Sequence, residues 1–208
     1  MLHIAVFGSG RGSNFKAILD AIHHGEIRNA RIRLVISNNS EAGILRIAEM
    51  NSVPAFHISQ KQFKAEEEFV SRILTELRNH EINFIVLAGY MKRLPPALIN
   101  RFRNRIINIH PALLPKYGGE GMYGMHVHEA VLAARERISG ATVHVVDEEY
   151  DNGAIVLQRE LDVKPDDTPE SLAARVLELE HRLYPEAIRL FAEGKAIDTR
   201  IDVAVSPL

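Results

Sequence analysis

Short apolar runs alternate with stretches of helical period through the first half of this chain, and that alternation restricts its fold more than any other feature. A strand buried on both faces reads as a continuous apolar run, whereas a helix lying over it shows apolar residues three and four apart. Residues 3–7 and 31–36 read as such strands, 53–58 as a short third, 82–88 as a fourth and 105–109 as a fifth. Between them Phe15, Ile18, Leu19 and Ile22 share one face of a helix that starts near Asn14 and stops at Gly25. Ile44, Leu45, Ala48 and Met50 fall in a second helix, Phe69, Ile73, Leu74 and Leu77 recur at helical spacing within 62–80, and a short helix begins near Pro95. Strand and helix in turn predict a parallel sheet covered by helices.

The second half changes character. Residues 117–125 form a glycine-rich loop, 128–138 read as helical, and 141–146 and 154–161 read as strands. The turn over 147–153 is too short for a parallel crossover, so these two strands form a hairpin. A long amphipathic helix follows, with Thr168 as its cap and Pro169 at its first position. Its spacing runs to about Leu183, and Pro185 is expected to kink or restart it before Gly194. The fold class is therefore α/β: a Rossmann-like, mostly parallel twisted sheet with helices on both faces, a C-terminal antiparallel hairpin and a long helix. At 208 residues a single domain over 1–208 is expected, with a phosphate-binding half at 1–100, a catalytic half at 101–190 and a tail at 195–208.

Composition narrows the function. No apolar run approaches the roughly 20 residues that span a bilayer, and residues 1–8 read as a first strand rather than a basic leader. The absence of cysteine removes disulfides, thiolate nucleophiles and Cys-ligated zinc, and suits a reducing cytoplasm. A net charge of -2 offers no basic field for a polyphosphate chain, so no nucleic-acid partner is expected.

Ligands of open parallel sheets bind beyond the carboxyl ends of the strands, which selects residues 8–14, 37–39, 89–93 and 108–111 as the lining of one cleft. Gly8-Ser9-Gly10-Arg11-Gly12-Ser13-Asn14 lies between a strand and a helix, where backbone N–H groups suit a phosphate. Ser13 stands where a dinucleotide fingerprint needs glycine, and no P-loop lysine is present, so the alternatives are a phosphate site of another kind or a tight turn with glycines for packing. Asn108 and His110, two apart in an extended segment, point to the same side. An amide N–H beside an imidazole suits a carbonyl carbon on which an oxyanion develops, although both groups could equally satisfy backbone at a strand end. Asp151 lies in the turn Tyr150-Asp151-Asn152-Gly153, which it could simply stabilise.

Five of the ten histidines, His110, His126, His128, His144 and His181, occur from this segment onward. His126 and His128 have a spacing that could chelate from an extended segment, but there is no HExxH pattern and no carboxylate at metal-motif spacing, so no metal is expected. His3, His23, His24, His57 and His80 read as surface or core residues.

Asn108-Ile109-His110-Pro111-Ala112-Leu113-Leu114-Pro115-Lys116-Tyr117 resembles the folate-dependent formyltransferases, and the similarity runs from residue 1 to about 190. The loop at Gly8, Leu87-Ala88-Gly89-Tyr90-Met91-Lys92 and Glu180-His181-Arg182-Leu183-Tyr184-Pro185 carry it further. The resemblance implies that Asn108, His110 and Asp151 are catalytic. In that reading the amine of glycinamide ribonucleotide, a purine precursor, attacks the formyl carbon of 10-formyltetrahydrofolate. Asn108 and protonated His110 hold the oxyanion, and Asp151 raises the His110 pKa. It also implies that Gly12, Ser13 and Asn14 bind the substrate phosphate and Glu180 its ribose hydroxyls. Lys64, Met91, Lys92, Arg93, Leu94, Asn108, Thr142 and the backbone of 145–151 would flank the folate, a co-substrate used without metal. One departure concerns the loop: many members pass from Lys-Tyr-Pro-Gly to a short His-x-His segment, whereas this chain reads Lys116-Tyr117-Gly118-Gly119 and inserts 119–124. The roles of Tyr117 and Met122 stay open. Two other functions fit the same residues, formyl transfer to a different amine such as an amino sugar nucleotide, and a nucleotide-binding module without catalysis.

Overall fold

The computed structural model of the protein describes residues 1–195, so all of the expected 195–208 tail except Lys195 lies outside the described residues. Seven strands form one mostly parallel sheet, in the order β3-β2-β1-β4-β5-β6-β7. They are β1 (Leu2–Phe7), β2 (Ala30–Ser37), β3 (Ala55–His57), β4 (Phe84–Leu87), β5 (Ile106–His110), β6 (Ile138–Val145) and β7 (Ile155–Asp162). Six helices are interspersed among the described residues: α1 (Ser13–His23), α2 (Gly43–Met50), α3 (Glu66–Asn79), α4 (Pro96–Arg101), α5 (Met125–Ala133) and α6 (Pro169–Ala192). None is long and apolar enough to cross a membrane. The chain divides into two compact units, Met1–Ile107 and Asn108–Leu208, with the boundary inside β5.

In the first unit β1 runs parallel to β2 on one side and to β4 on the other, and β2 runs parallel to β3. Ile4, Ala5, Val6, Phe7, Leu34, Val35 and Ile36 are completely buried, as the continuous apolar runs require. The face of α1 predicted from its spacing places Phe15, Ile18 and Leu19 in the core. Gly25 ends that helix in the left-handed conformation (φ 76°), with its N–H on the Ile22 carbonyl and the Glu26 N–H on the Ala21 carbonyl. Two boundaries differ from the sequence reading. β3 is only three residues long, and α3 begins at Glu66 rather than near residue 62. Ser59 and Gln62 cap each other across a single 3-10 turn, after which Phe63 returns to extended backbone and the chain must start a new helix.

In the second unit β6 and β7 pair antiparallel, with a register shift at Val143/His144. Two helix ends depart from expectation. α5 covers Met125–Ala133, so Ile138 belongs to β6 rather than to a helix over 128–138. Arg135 adopts a left-handed conformation (φ 56°) and the Glu136 N–H reaches the Val131 carbonyl, a stop that no glycine announces. α6 passes through Pro185 without ending near Leu183. A proline inside a helix costs about 3 kcal/mol, but the buried stripe of Leu183, Tyr184, Ala187, Ile188 and Phe191 continues past it. Tertiary burial outweighs the local penalty.

Candidate active site

Asn108 and His110 close β5, and the strand period sends both to one side while Ile109, 7% exposed, faces the other. The His110 Nε2–H donates to the Tyr117 carbonyl at 2.7 Å, and its Nδ1 lies 3.5 Å from Asp151 Oδ2. A carbonyl and a carboxylate only accept hydrogen bonds, so both neighbours favour a doubly protonated ring. Burial opposes them, and with the His110 residue only 3% exposed it prevails. Burial lowers the His110 pKa, assisted by His144, while Asp151 and the Tyr117 carbonyl push it upward. Asp151 thus acts in the anticipated direction, but desolvation is the larger effect.

Asp151 does more than stabilise its own turn. Its Oδ1 lies 3.4 Å from His144 Nε2, and its Oδ2 accepts the Gly119 N–H at 3.0 Å. Burial alone would raise its pKa, but the His144 hydrogen bond, the His110 ring and the Gly119 amide together bring the carboxyl below its ordinary value. His144 completes the cluster. Its Nδ1 lies 3.0 Å from the Val145 carbonyl, and its Nε2, facing Asp151, also lies 3.2 Å from the Asn108 amide nitrogen. Asn108, His144, Asp151 and His110 therefore form one continuous polar chain.

In the first unit, three of the four strand-end segments meet where the strand order reverses between β1 and β4. The Ser9 N–H donates to the Gly89 carbonyl at 2.9 Å, and the Ser9 hydroxyl donates to Asn38 and accepts the Met91 N–H. Gly12 caps α1 in the left-handed conformation (φ 82°), with no side-chain capping bond. Packing also demands glycine there, because a Cβ on Gly12 would lie 2.7 Å from the Ile44 Cα. Asn14 is buried, while Lys64, Met91, Lys92 and Arg93 are exposed and Leu94 belongs to the core. Glu180 is buried on α6.

With this geometry in hand, comparison with known proteins is informative: the model of the formyl transferase family matches residues 2–188. The chain belongs to the formyl transferase family. The phosphoribosylglycinamide formyltransferase of Haemophilus influenzae is 41% identical over 195 residues, 94% of this chain and 89% of the relative. The chloroplastic phosphoribosylglycinamide formyltransferase of Vigna unguiculata is 42% identical over 194 residues, 93% of this chain. The chain spans 62% of the length of that relative and 66% of its Arabidopsis thaliana counterpart. The crystal structure of glycinamide ribonucleotide transformylase 1 from Symbiobacterium toebii matches with a TM-score of 0.89 and 37% identity, covering 99% of this chain and 95% of that one. A phosphoribosylglycinamide formyltransferase structure from Coxiella burnetii gives 0.85 and 40%, covering 93% and 88%.

Within this formyl transferase the Thr142 hydroxyl is already occupied by its neighbours. The Thr142 hydroxyl donates to the Ala112 carbonyl at 2.6 Å and accepts from the Leu114 N–H and Gln158 Nε2 at 3.1 and 2.8 Å. One donor and two acceptor positions are then used, so Thr142 braces the chain after His110 and has no hydroxyl capacity left for folate. His126 and His128 do not chelate together, because both lie on α5, where a spacing of two turns them to opposite sides. His126 is exposed; His128 is buried near His110, and burial first, then the His110 ring, brings its pKa down to about 4. The sequence reading missed His144 as a site residue. Its signal was available: Thr142 and His144 are two apart in a strand, hence on one face.

Proposed function

We propose that this formyl transferase moves the formyl group of 10-formyltetrahydrofolate to the amine of glycinamide ribonucleotide, in purine synthesis in the cytoplasm. The observation that carries the reading is the Asp151 carboxylate lying between the His110 and His144 rings, with Asn108 joined to it through His144. The relatives' names support the substrate pair, and the lack of cysteine together with the net charge of -2 supports a reducing compartment and small-molecule partners rather than nucleic acid.

The substrate amine adds to the formyl carbon and the carbonyl oxygen becomes an oxyanion. The Asn108 amide N–H and the His110 ring oppose that charge. The amine must lose a proton, and folate N10 must gain one as the old C–N bond breaks. His110 starts below its ordinary pKa with Nδ1 facing Asp151, so it takes up the amine's proton where the carboxylate stabilises the result and passes it to folate N10 as the old C–N bond breaks. Gly12, Ser13 and Asn14 are assigned to the substrate phosphate, a role supported by the uncapped start of α1. Glu180 is assigned to the ribose hydroxyls. Lys64, Met91, Lys92, Arg93, Leu94 and Asn108 are assigned to the folate, with the exposed cations suited to its glutamate tail.

Incubation of the purified protein with glycinamide ribonucleotide and 10-formyltetrahydrofolate is expected to release the deformylated folate, read by absorbance. An amino sugar nucleotide serves as the competing acceptor. Turnover with that amine and none with glycinamide ribonucleotide would overturn the proposal.

A further inference from the structure

The acceptor for the His110 Nε2–H is a backbone carbonyl on a residue with an uncommon conformation. Tyr117 has φ 56°, in the left-handed region that bulky side chains avoid. Something outside the site must hold it there. The Tyr117 phenol donates to Glu136 Oε1 at 3.0 Å, and the Lys116 ammonium donates to the same oxygen at 3.0 Å. Both adjoining side chains of the turn are thus tied to one carboxylate, located just past the left-handed stop of α5. Hydrogen bonds from Lys116 and Tyr117 bring the Glu136 carboxyl below its ordinary pKa, so the tie persists through the neutral range.

We propose that Glu136 is a positioning residue for His110: by gripping Lys116 and Tyr117 it fixes the left-handed turn whose carbonyl receives the His110 Nε2–H. The effect on turnover rests on the formyl transfer proposed above; the effect on the ring does not. Asp151 from the β6–β7 turn, His144 from β6 and His128 from α5 also face His110, and none of them touches Glu136 in the hydrogen bonds described. Loss of the clamp should withdraw one of the two acceptors that favour the charged ring, leaving the other three neighbours in place.

The test is a titration of isotope-labelled histidine in the wild type, Glu136→Ala, Glu136→Gln and Tyr117→Phe, followed by NMR without substrate, with His110→Gln used to assign the signal. Glu136→Ala and Tyr117→Phe are expected to move the His110 midpoint to lower pH. Glu136→Gln keeps an oxygen for the phenol and is expected to stay near the wild type. In turnover, kcat should fall about tenfold in Glu136→Ala with KM little changed, below the roughly hundredfold cost of misplacing a group by an ångström. The double variant Glu136→Ala/Tyr117→Phe should be no worse than the worse single one. An unmoved His110 midpoint in Tyr117→Phe and Glu136→Ala, or equal damage from Glu136→Gln and Glu136→Ala, would overturn the inference. If Glu136→Ala does not fold, Tyr117→Phe decides alone, because it removes only one phenol oxygen. A wild type that forms no product defeats the functional reading instead, since the midpoint is measured without turnover.

Discussion

Asp151 occupies a left-handed position (φ 52°) where asparagine is as acceptable as aspartate, so Asp151→Asn isolates charge from shape. The amide can still accept the Gly119 N–H, but it cannot stabilise a proton arriving on His110. Activity is expected to fall about 100-fold or more, with the melting temperature nearly unchanged; full turnover in this variant would remove Asp151 from the mechanism. In the loop after β1, Gly12→Ala places a methyl 2.7 Å from the Ile44 backbone at φ 82°, whereas Gly10 has nothing within 4 Å of its added Cβ. Gly12→Ala should therefore cost more than about 1 kcal/mol and Gly10→Ala much less, as compared by urea denaturation. At this scale Asn108 and His110 were legible, because strand alternation fixes where side chains two apart point. His144 obeys the same rule, but the ring becomes meaningful only beside Asp151, a neighbour the strand period cannot supply.

Elements were most legible where a local stereochemical signal marks their start. Thr168 and Pro169 open α6 as expected, with the Ser171 N–H on the Thr168 hydroxyl at 3.3 Å and the Thr168 N–H on the Ser171 hydroxyl at 2.9 Å. Thr168→Ala should destabilise the protein by about 1 kcal/mol, a fall of roughly 2–4 °C in Tm for a chain of this size. An unchanged melting curve would mean that this helix end frays without consequence. Stops were less legible. Gly25 announces the end of α1, but Arg135 ends α5 with a residue that has no preference for the left-handed region, and Pro185 fails to end α6. In α6 the buried stripe beyond Pro185 overrides the local preference, whereas the α5 stop is closed by the Glu136 N–H on the Val131 carbonyl.

For the whole molecule, burial of imidazoles ties folding to pH. His110 and His128 both have lowered pKa values in the folded state, His128 to about 4 from an ordinary 6.5. The unfolded chain then binds more protons than the folded one between those values, so stability is complete above 6.5 and is lost as pH falls toward 4. The depressed Asp151 carboxyl adds nothing in that window, since its contribution is lost only below its ordinary 3.8. The urea midpoint is expected to drop from pH 7 to pH 4.5, and His128→Leu should flatten the drop; an identical slope in that variant would assign the acid sensitivity elsewhere. The amino-acid sequence alone determined the alternating α/β architecture, the starts of α1 and α6 and the shared side of Asn108 and His110, because each depends on the backbone geometry of a few adjacent residues. Tertiary structure alone decided the meeting of Asp151 with His110 and His144, the passage of α6 through Pro185 and the direction in which burial moves the His110 pKa. Those outcomes depend on which distant groups exclude water from a site, and no local stretch of sequence carries that information.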